Sequence, residues 1–380
     1  MDLAKNLTIS GIVTYGAINT ATAATSFTEA LTETGVSGNV NLRYENVDNA
    51  NISSDLLSLR SRVTLTSGEY RGFSAVAGLE NVGIASTIDD PYALVNDREV
   101  TELDQAYIQY QTESITATLG RQALALDNRR FIGTAPWRQD RRTLDAIRVQ
   151  FKPMASFVLD FSYAYQYNQG PAESNDRDAD SVILNAAYTT SIGKLVAYSY
   201  LLEDKTIASE IDTYGLRFSG KTSGDYPFIY TAEFAQQRNA SFNAEYLLLE
   251  TGISAAGMTA KLGVERRGSD NGNYAFATPL ANAHGPNGWA DVYTNLGDDG
   301  LADRYISLSG KIERVSLTAL YHEFDADAGA IDKGSELDLR ATLPINDSLN
   351  FGVKYAAFSQ GDSTTPDDIK KLWLWLTYTF

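Results

Sequence analysis

From residue 37 onward, apolar and polar residues alternate along segment after segment, and this period of two constrains the fold more than anything else in the chain. Between Asn39 and Glu45, Val40, Leu42 and Tyr44 share one face while Asn41, Arg43 and Glu45 share the other. Leu59, Val63 and Leu65 oppose Arg60, Arg62 and Thr64. Phe157, Leu159, Phe161, Tyr163, Tyr165 and Tyr167 stand against Asp160, Ser162 and Gln166. Tyr214, Leu216 and Phe218 oppose Arg217 and Ser219, and Leu337, Leu339 and Leu343 oppose Asp338 and Arg340. Side chains alternate across a strand, whereas a helix would repeat every 3.6 residues, so the pattern specifies strands with one apolar and one polar face.

Two all-β architectures use such strands. A soluble sandwich turns the apolar faces inward against a second sheet; a membrane barrel turns them outward to lipid and lines its lumen with the polar face. Strand length favours the barrel: most segments run about 10 to 14 residues, enough to cross a bilayer at a tilt, against roughly 5 or 6 in soluble proteins. The joins favour it further. Eighteen strands are predicted between 37–46 and 369–380. The joins at 67–70, 111–115, 151–154, 191–193, 223–226, 256–257, 313–315 and 343–347 are short, while alternate ones such as 83–100, 122–143, 168–180 and 268–302 are long. An even strand number with short turns at one end and long loops at the other predicts an antiparallel, up-and-down transmembrane β-barrel over 25–380.

The final strand agrees. Leu372, Leu374, Leu376, Tyr378 and Phe380 share one face. A chain ending on an aromatic after such a strand resembles the signal read by the barrel-insertion machinery of Gram-negative bacteria, an expected partner during assembly. Both terminal aromatics also fall where an interfacial girdle belongs, beside outer-membrane lipid and lipopolysaccharide. The first 24 residues, with Lys5, a mildly apolar run from Leu7 to Ile18 and then Ala21-Thr22-Ala23-Ala24, read as an export signal or as an N-terminal segment forming a first strand.

Composition removes several classes of function. There are no cysteines, which excludes disulfides and thiolate metal sites, and only His284 and His322 offer imidazole. The net charge of −17 opposes nucleic acid binding. No apolar run reaches the roughly 20 residues of a spanning helix, a requirement barrels do not share. The acids gather in the long joins: Asp89, Asp90 and Asp97; Glu173, Asp176, Asp178 and Asp180; Asp298, Asp299 and Asp303; Asp362, Asp367 and Asp368. They read as solvated loops or as cation ligands near lipopolysaccharide. None has a complete calcium-loop spacing, so no metal site and no cofactor are predicted.

The predicted lumen face has the opposite balance. Its basic members are Arg43, Arg60, Arg62, Arg148, Lys152, Arg217, Lys261, Lys311, Arg340 and Lys354; its acids are Glu45, Asp160, Glu233, Glu250, Glu265 and Asp338. Some must pair to make a tolerable interior, and cations in excess favour anions in a pore. The 121–148 region adds Arg121, Arg129, Arg130, Arg138, Arg141 and Arg142 on a join long enough to fold inward as a constriction. Its competing role is contact with lipopolysaccharide phosphates.

Gly120-Arg121-Gln122, followed by Trp137, Asp140 and the Ala146–Phe151 segment, resembles the alginate-export family of outer-membrane porins. So does the stretch from Thr278 to Asp291 with its continuation Gly300–Tyr305. The resemblance implies an eighteen-stranded barrel with a narrow, arginine-lined path for an acidic polysaccharide or oligosaccharide. Arg121 and Arg148 match positions where the family places pore-lining arginines. Parity puts Arg148 inside; Arg121 shares a face with Ala117 and Leu119 and needs a bulge at Gly120 to turn inward. The chain is shorter than the family's alginate exporter, whose plugging segments are expected to be absent. Uptake of oligosaccharides through a more open pore is then as well suited as polymer export. The 268–302 segment, with His284, Trp289 and Asp291, reads as a lid or as a cap on the rim.

The rival expectations are a general diffusion porin, an adhesive or structural barrel with acidic loops, and an outer-membrane enzyme using a Ser/His or Asp/His pair. The last lacks a recognisable nucleophile motif around either histidine. A transporter of the kind that carries a plug domain is disfavoured because no plug of adequate length precedes the first strand.

Overall fold

The structure is a computed structural model and describes residues 24–49, 52–87, 94, 95, 97–170, 173–362 and 367–380. Residues 1–23, Asp89 and Asp90, on which the export-signal reading and part of the acidic-loop reading rest, lie outside the described residues.

The described residues form eighteen strands. In chain order they are β1 (Gly35–Asn49), β2 (Ile52–Thr66), β3 (Phe73–Thr87), β4 (Val100–Gln111), β5 (Ile115–Gln122) and β6 (Thr143–Met154). There follow β7 (Phe157–Asn168), β8 (Arg177–Thr189), β9 (Lys194–Asp204), β10 (Ser209–Lys221), β11 (Phe228–Asn239) and β12 (Phe242–Ala255). The last six are β13 (Met258–Arg267), β14 (Leu301–Ile312), β15 (Val315–Asp325), β16 (Asp332–Pro344), β17 (Leu349–Ser359) and β18 (Ile369–Thr379). Each pairs antiparallel with its neighbours in sequence, and β1 pairs with β18 from Asn39↔Thr379 to Asn49↔Ile369, closing the barrel. Every predicted strand overlaps an observed one. The outer-end joins are less uniform than expected: β9–β10 and β11–β12 are tight turns there.

The apolar faces point out. Leu119 is 55% exposed, Leu216 57%, Leu262 57% and Ile306 50%, and the same face of nearly every strand carries such residues. Rows of large exposed apolar side chains around a closed barrel are tolerable only against lipid. At the short-turn end the helix α1 (Phe27–Thr32) packs under the β2–β3 turn through Gly68 N–H to Ala30 C=O (2.8 Å), with Ser26 as its N-cap.

β-Bulges redirect the alternation at a few points. On β4, Gln105 pairs with Gly78 and Leu103 with Leu79, so Asp104 is the extra residue and both Asp104 and Gln105 turn inward. On β7 the extra residue is Tyr165, and beyond it Tyr167 moves to the inner face, 3% exposed, where strict alternation would leave it facing lipid. The lumen is also less polar than the pattern suggests. Ile183, Val196, Tyr198, Tyr200, Tyr246 and Leu248 point inward from β8, β9 and β12 and are buried, because two long segments fold inside and pack on them.

Candidate functional site

The two inward segments are 123–142, between β5 and β6, and 268–300, between β13 and β14. The first reaches across the lumen. Gln139 Nε2 donates to Ser58 Oγ on β2 (2.8 Å), Arg141 makes a two-pronged pair with Asp104 on β4 (2.7 and 2.7 Å), and Arg130 pairs with Glu265 on β13 (2.5 Å). Leu126, Phe131 and Ile132 join Phe276 and Leu280 of the second segment in the apolar core on the β6–β12 wall. The second segment is fixed to the opposite wall. Backbone N–H groups of Trp289 and Ala290 donate to Asp338 (3.2 Å) and Glu336 (2.6 Å) on β16. Gly288 permits this approach: it has a φ of +83°, and a Cβ there would lie 2.4 Å from the Glu336 carboxylate.

The segments also hold each other. Gly133 N–H donates to Leu280 C=O (2.7 Å), Asn282 N–H to Arg129 C=O (2.9 Å), Arg130 to Asn287 (2.7 Å) and Arg138 to Asp291 (2.8 Å). Their meeting point gathers all four tryptophans of the chain. Trp137 and Trp289 come from the two segments; Trp373 and Trp375 come from the inner face of β18. Lys354 Nζ sits 3.2 Å from the Trp137 ring centre and 4.6 Å from that of Trp289, Arg43 lies over Trp137 (5.2 Å), and Arg340 over Trp289 (5.7 Å). His284 stacks on Trp137 with ring centres 4.7 Å apart. Burial, with Lys354 nearby, depresses its pKa to about 3, so the ring is neutral at ordinary pH. Its Nδ1–H donates to Asp291 (2.7 Å), and its Nε2 accepts from Lys354 Nζ (2.8 Å).

The expected lumen cations divide by partner. Arg43 binds Asp97 and the Trp137 carbonyl (2.5 Å), Arg62 binds Glu80, Arg130 binds Glu265, Arg148 binds Asp160 (2.5 Å) and Arg217 binds Glu233 (2.5 Å). Arg60 donates to the Asn39 amide oxygen (2.7 Å), Arg340 to Thr318 (3.2 Å) and Lys354 to His284, and none of these three meets a carboxylate among the described residues. Lys152 lies near the short-turn end of β6, and Arg129 belongs to the inward segment at a φ of 62°.

Arg121 departs from expectation. Gly120 has a φ of 123°, but no register shift accompanies it, so Arg121 stays on the outer face with Leu119 and pairs with Asp145 at the rim (2.9 Å). Asp303, expected in a solvated loop, is instead on β14, fully buried and paired with His322 (3.0 Å), itself 1% exposed. On the outer-end side of the 268–300 segment lies a cavity of about 510 Å³ lined by Arg142, Arg177, Arg267, Tyr167 and Tyr274. Arg142 and Arg267 there donate to backbone carbonyls of Ala281 (3.1 Å) and Phe276 (3.2 Å). Asp140 is buried beside Glu102, and burial together with that second carboxylate raises its pKa to about 8.

Sequence reasoning missed the convergence of the tryptophans and the inward acids Glu80, Glu102 and Asp104. Parity alone would have placed Trp373 and Trp375 inside, opposite Leu372 and Leu374.

A family model described as alginate export matches residues 37–325. Among solved structures, the fold is similar to that of Acinetobacter baumannii OccAB4, with a TM-score of 0.73 at 12% identity, covering 92% of this chain and 98% of that one. Pseudomonas aeruginosa OccK9 (OpdG) gives 0.73 at 14% identity, over 92% and 100% of the two chains. Pseudomonas aeruginosa OpdK, solved with vanillate, gives 0.72 at 12% identity, over 92% and 99%. Among curated proteins, none matches the sequence.

Proposed function

This chain belongs to the alginate-export family and is an outer-membrane β-barrel of the porin type, and on that footing we propose that it passes anionic oligosaccharides passively, without covalent chemistry. The observation that carries the reading is the wall running from β16 through β18 to β2. It presents Arg340 and Arg60, with the buried Lys354 behind them, all without carboxylate partners among the described residues, beside the partly exposed indoles of Trp137 and Trp375. Arg340 and Lys354 are directly opposite each other across β16 and β17. A uronate offers a carboxylate to such cations and an apolar ring face to such indoles. At the outer end, Arg142 and Arg267 line the cavity with their charges set against carbonyls, alongside Asp298 and the Arg177–Asp204 pair, which leaves a small cationic excess for an anion entering there.

A small aromatic carboxylate is the second reading, since one barrel of similar fold was solved with vanillate. Planar-bilayer recording of the refolded protein separates the two. The expected result is an anion-selective reversal potential and transient block by oligouronates, with no block by neutral oligosaccharides of equal length. Block by vanillate but not by oligouronates would replace the sugar with the smaller solute. A cation-selective pore blocked equally by neutral sugars would sink both.

A further inference from the structure

Where the 123–142 segment meets the barrel wall, three carboxylates converge. Glu80 on β3, Glu102 on β4 and Asp140 of the segment each bring an oxygen within 4.8 Å of the others. Asp140 is 4% exposed and neither of its oxygens accepts a hydrogen bond. Glu80 is 1% exposed and likewise accepts none with ordinary geometry, although the Arg62 guanidinium lies against it. A buried carboxylate with no donor is among the costliest arrangements a protein can hold, so this geometry asks for a positive charge between the groups.

The surrounding charges do not supply enough. Asp104, turned inward by the β4 bulge, takes up Arg141 (2.7 Å) and lies 3.5 Å from Arg62. Four carboxylates (Glu80, Glu102, Asp104 and Asp140) thus face the two guanidiniums that touch them. Arg60 turns instead to Asn39, and Arg121, on the outer face, to Asp145. With all four ionised, the direct contacts leave an excess of two negative charges, the complement of a divalent ion, and Arg60 and Arg121 act on the cluster only at longer range. The spacing also suits one: oxygens on opposite sides of a calcium ion, each at roughly 2.4 Å, stand about 5 Å apart. The neighbours of Asp140 are fixed independently, Gln139 by Ser58 and by Asp97 (3.1 Å), and Arg141 by Asp104, so the Asp140 carboxylate is held toward the other two.

We propose that Glu80, Glu102 and Asp140 hold a divalent cation, calcium by its chemistry, which clamps the inward 123–142 segment to the β3–β4 wall. Oxygen-only donors exclude the soft and imidazole-preferring metals, and three carboxylates from three separate elements suit the flexible coordination of calcium better than the strict octahedron of magnesium. This origin in three elements is also why no calcium-loop spacing is visible in the sequence.

The test uses the full chain, refolded in detergent, stripped with EDTA and titrated with CaCl₂ by calorimetry. In parallel, hydrogen exchange of residues 123–142 is followed with and without the ion. The expected result is a saturable site and slower exchange in the segment when calcium is present. Affinity should fall at least tenfold in Asp140→Asn, and in the milder Glu102→Gln should the first variant fail to fold. Asp298→Asn, an exposed outer acid, should bind as the parent does. Absence of saturable binding in the parent would overturn the site and mean that Glu102 and Asp140 share a proton. Unchanged affinity in both lumen variants would overturn it too, by moving the ion to the surface acids.

Discussion

The two walls of the lumen use the same cationic side chains to opposite ends. From β6 to β12, Arg148 is closed against Asp160 and Arg217 against Glu233, and the surface between them is an apolar core on which both inward segments rest. From β16 round to β2, Arg340, Lys354 and Arg60 face oxygen, imidazole and indole in place of carboxylate. A paired charge contributes little field at a distance, whereas an unpaired one acts across the lumen. Counting lumen cations therefore overstates how basic the interior is: the β6–β12 cations are neutralised by carboxylates, whereas the β16–β2 wall, which also anchors both segments through Asp338, Glu336 and Ser58, keeps Arg340 and Arg60 without a carboxylate among the described residues.

The largest effect should come from breaking the tie between the 123–142 segment and β13. Arg130 and Glu265 are 3% and 4% exposed, so removing one partner leaves the other buried without its counter-charge. Such losses cost roughly 3–5 kcal/mol. Arg130→Ala is expected to speed hydrogen exchange in both inward segments by roughly a hundredfold or more while the barrel strands keep their protection. Unchanged exchange in the 268–300 segment would mean that the two segments are not one cooperative unit.

Next in size is a test of the charge division itself. Arg340→Ala with Lys354→Ala should move the reversal potential in a salt gradient clearly toward cation preference. Arg148→Gln with Asp160→Asn removes as many charged groups but no net charge, and should leave the potential nearly unchanged. Equal shifts from the two double variants would erase the distinction between the walls.

This distinction was only half legible in the sequence. The strands, their order and the outward apolar face follow from period-two alternation and the rhythm of joins, because lipid outside and a lumen inside impose opposite chemistry on successive residues. Parity also placed Arg43, Arg60, Arg148, Arg217, Arg340 and Lys354 on the inner face. Partners were largely not legible, because they come from segments distant in sequence: Asp97 for Arg43 and His284 for Lys354. Nor were the bulges, which turn Asp104 and Tyr167 inward against the local pattern and leave no compositional mark. Arg121 shows the converse, since a glycine at positive φ beside it is not accompanied by a register shift, and the arginine stays outside.

The smallest effect concerns the indoles. Trp375 lies over Gly352, where a Cβ would stand 2.0 Å from the ring, and meets Trp137 edge-on with centres 5.5 Å apart. It is half-buried, so part of its face remains available to a passing ring, whereas Trp373 is fully buried and packs Lys354 in place. Loss of one such partly exposed aromatic contact is worth about 1 kcal/mol, or roughly fivefold in residence time. Trp375→Ala should shorten each oligouronate block by about that factor without altering the reversal potential, because no charge has changed. Were Trp375→Ala instead to shift ion selectivity as much as the Arg340/Lys354 double variant, the indole would be positioning the cations, and aromatic and charged contacts could no longer be treated as separate contributions of the same wall.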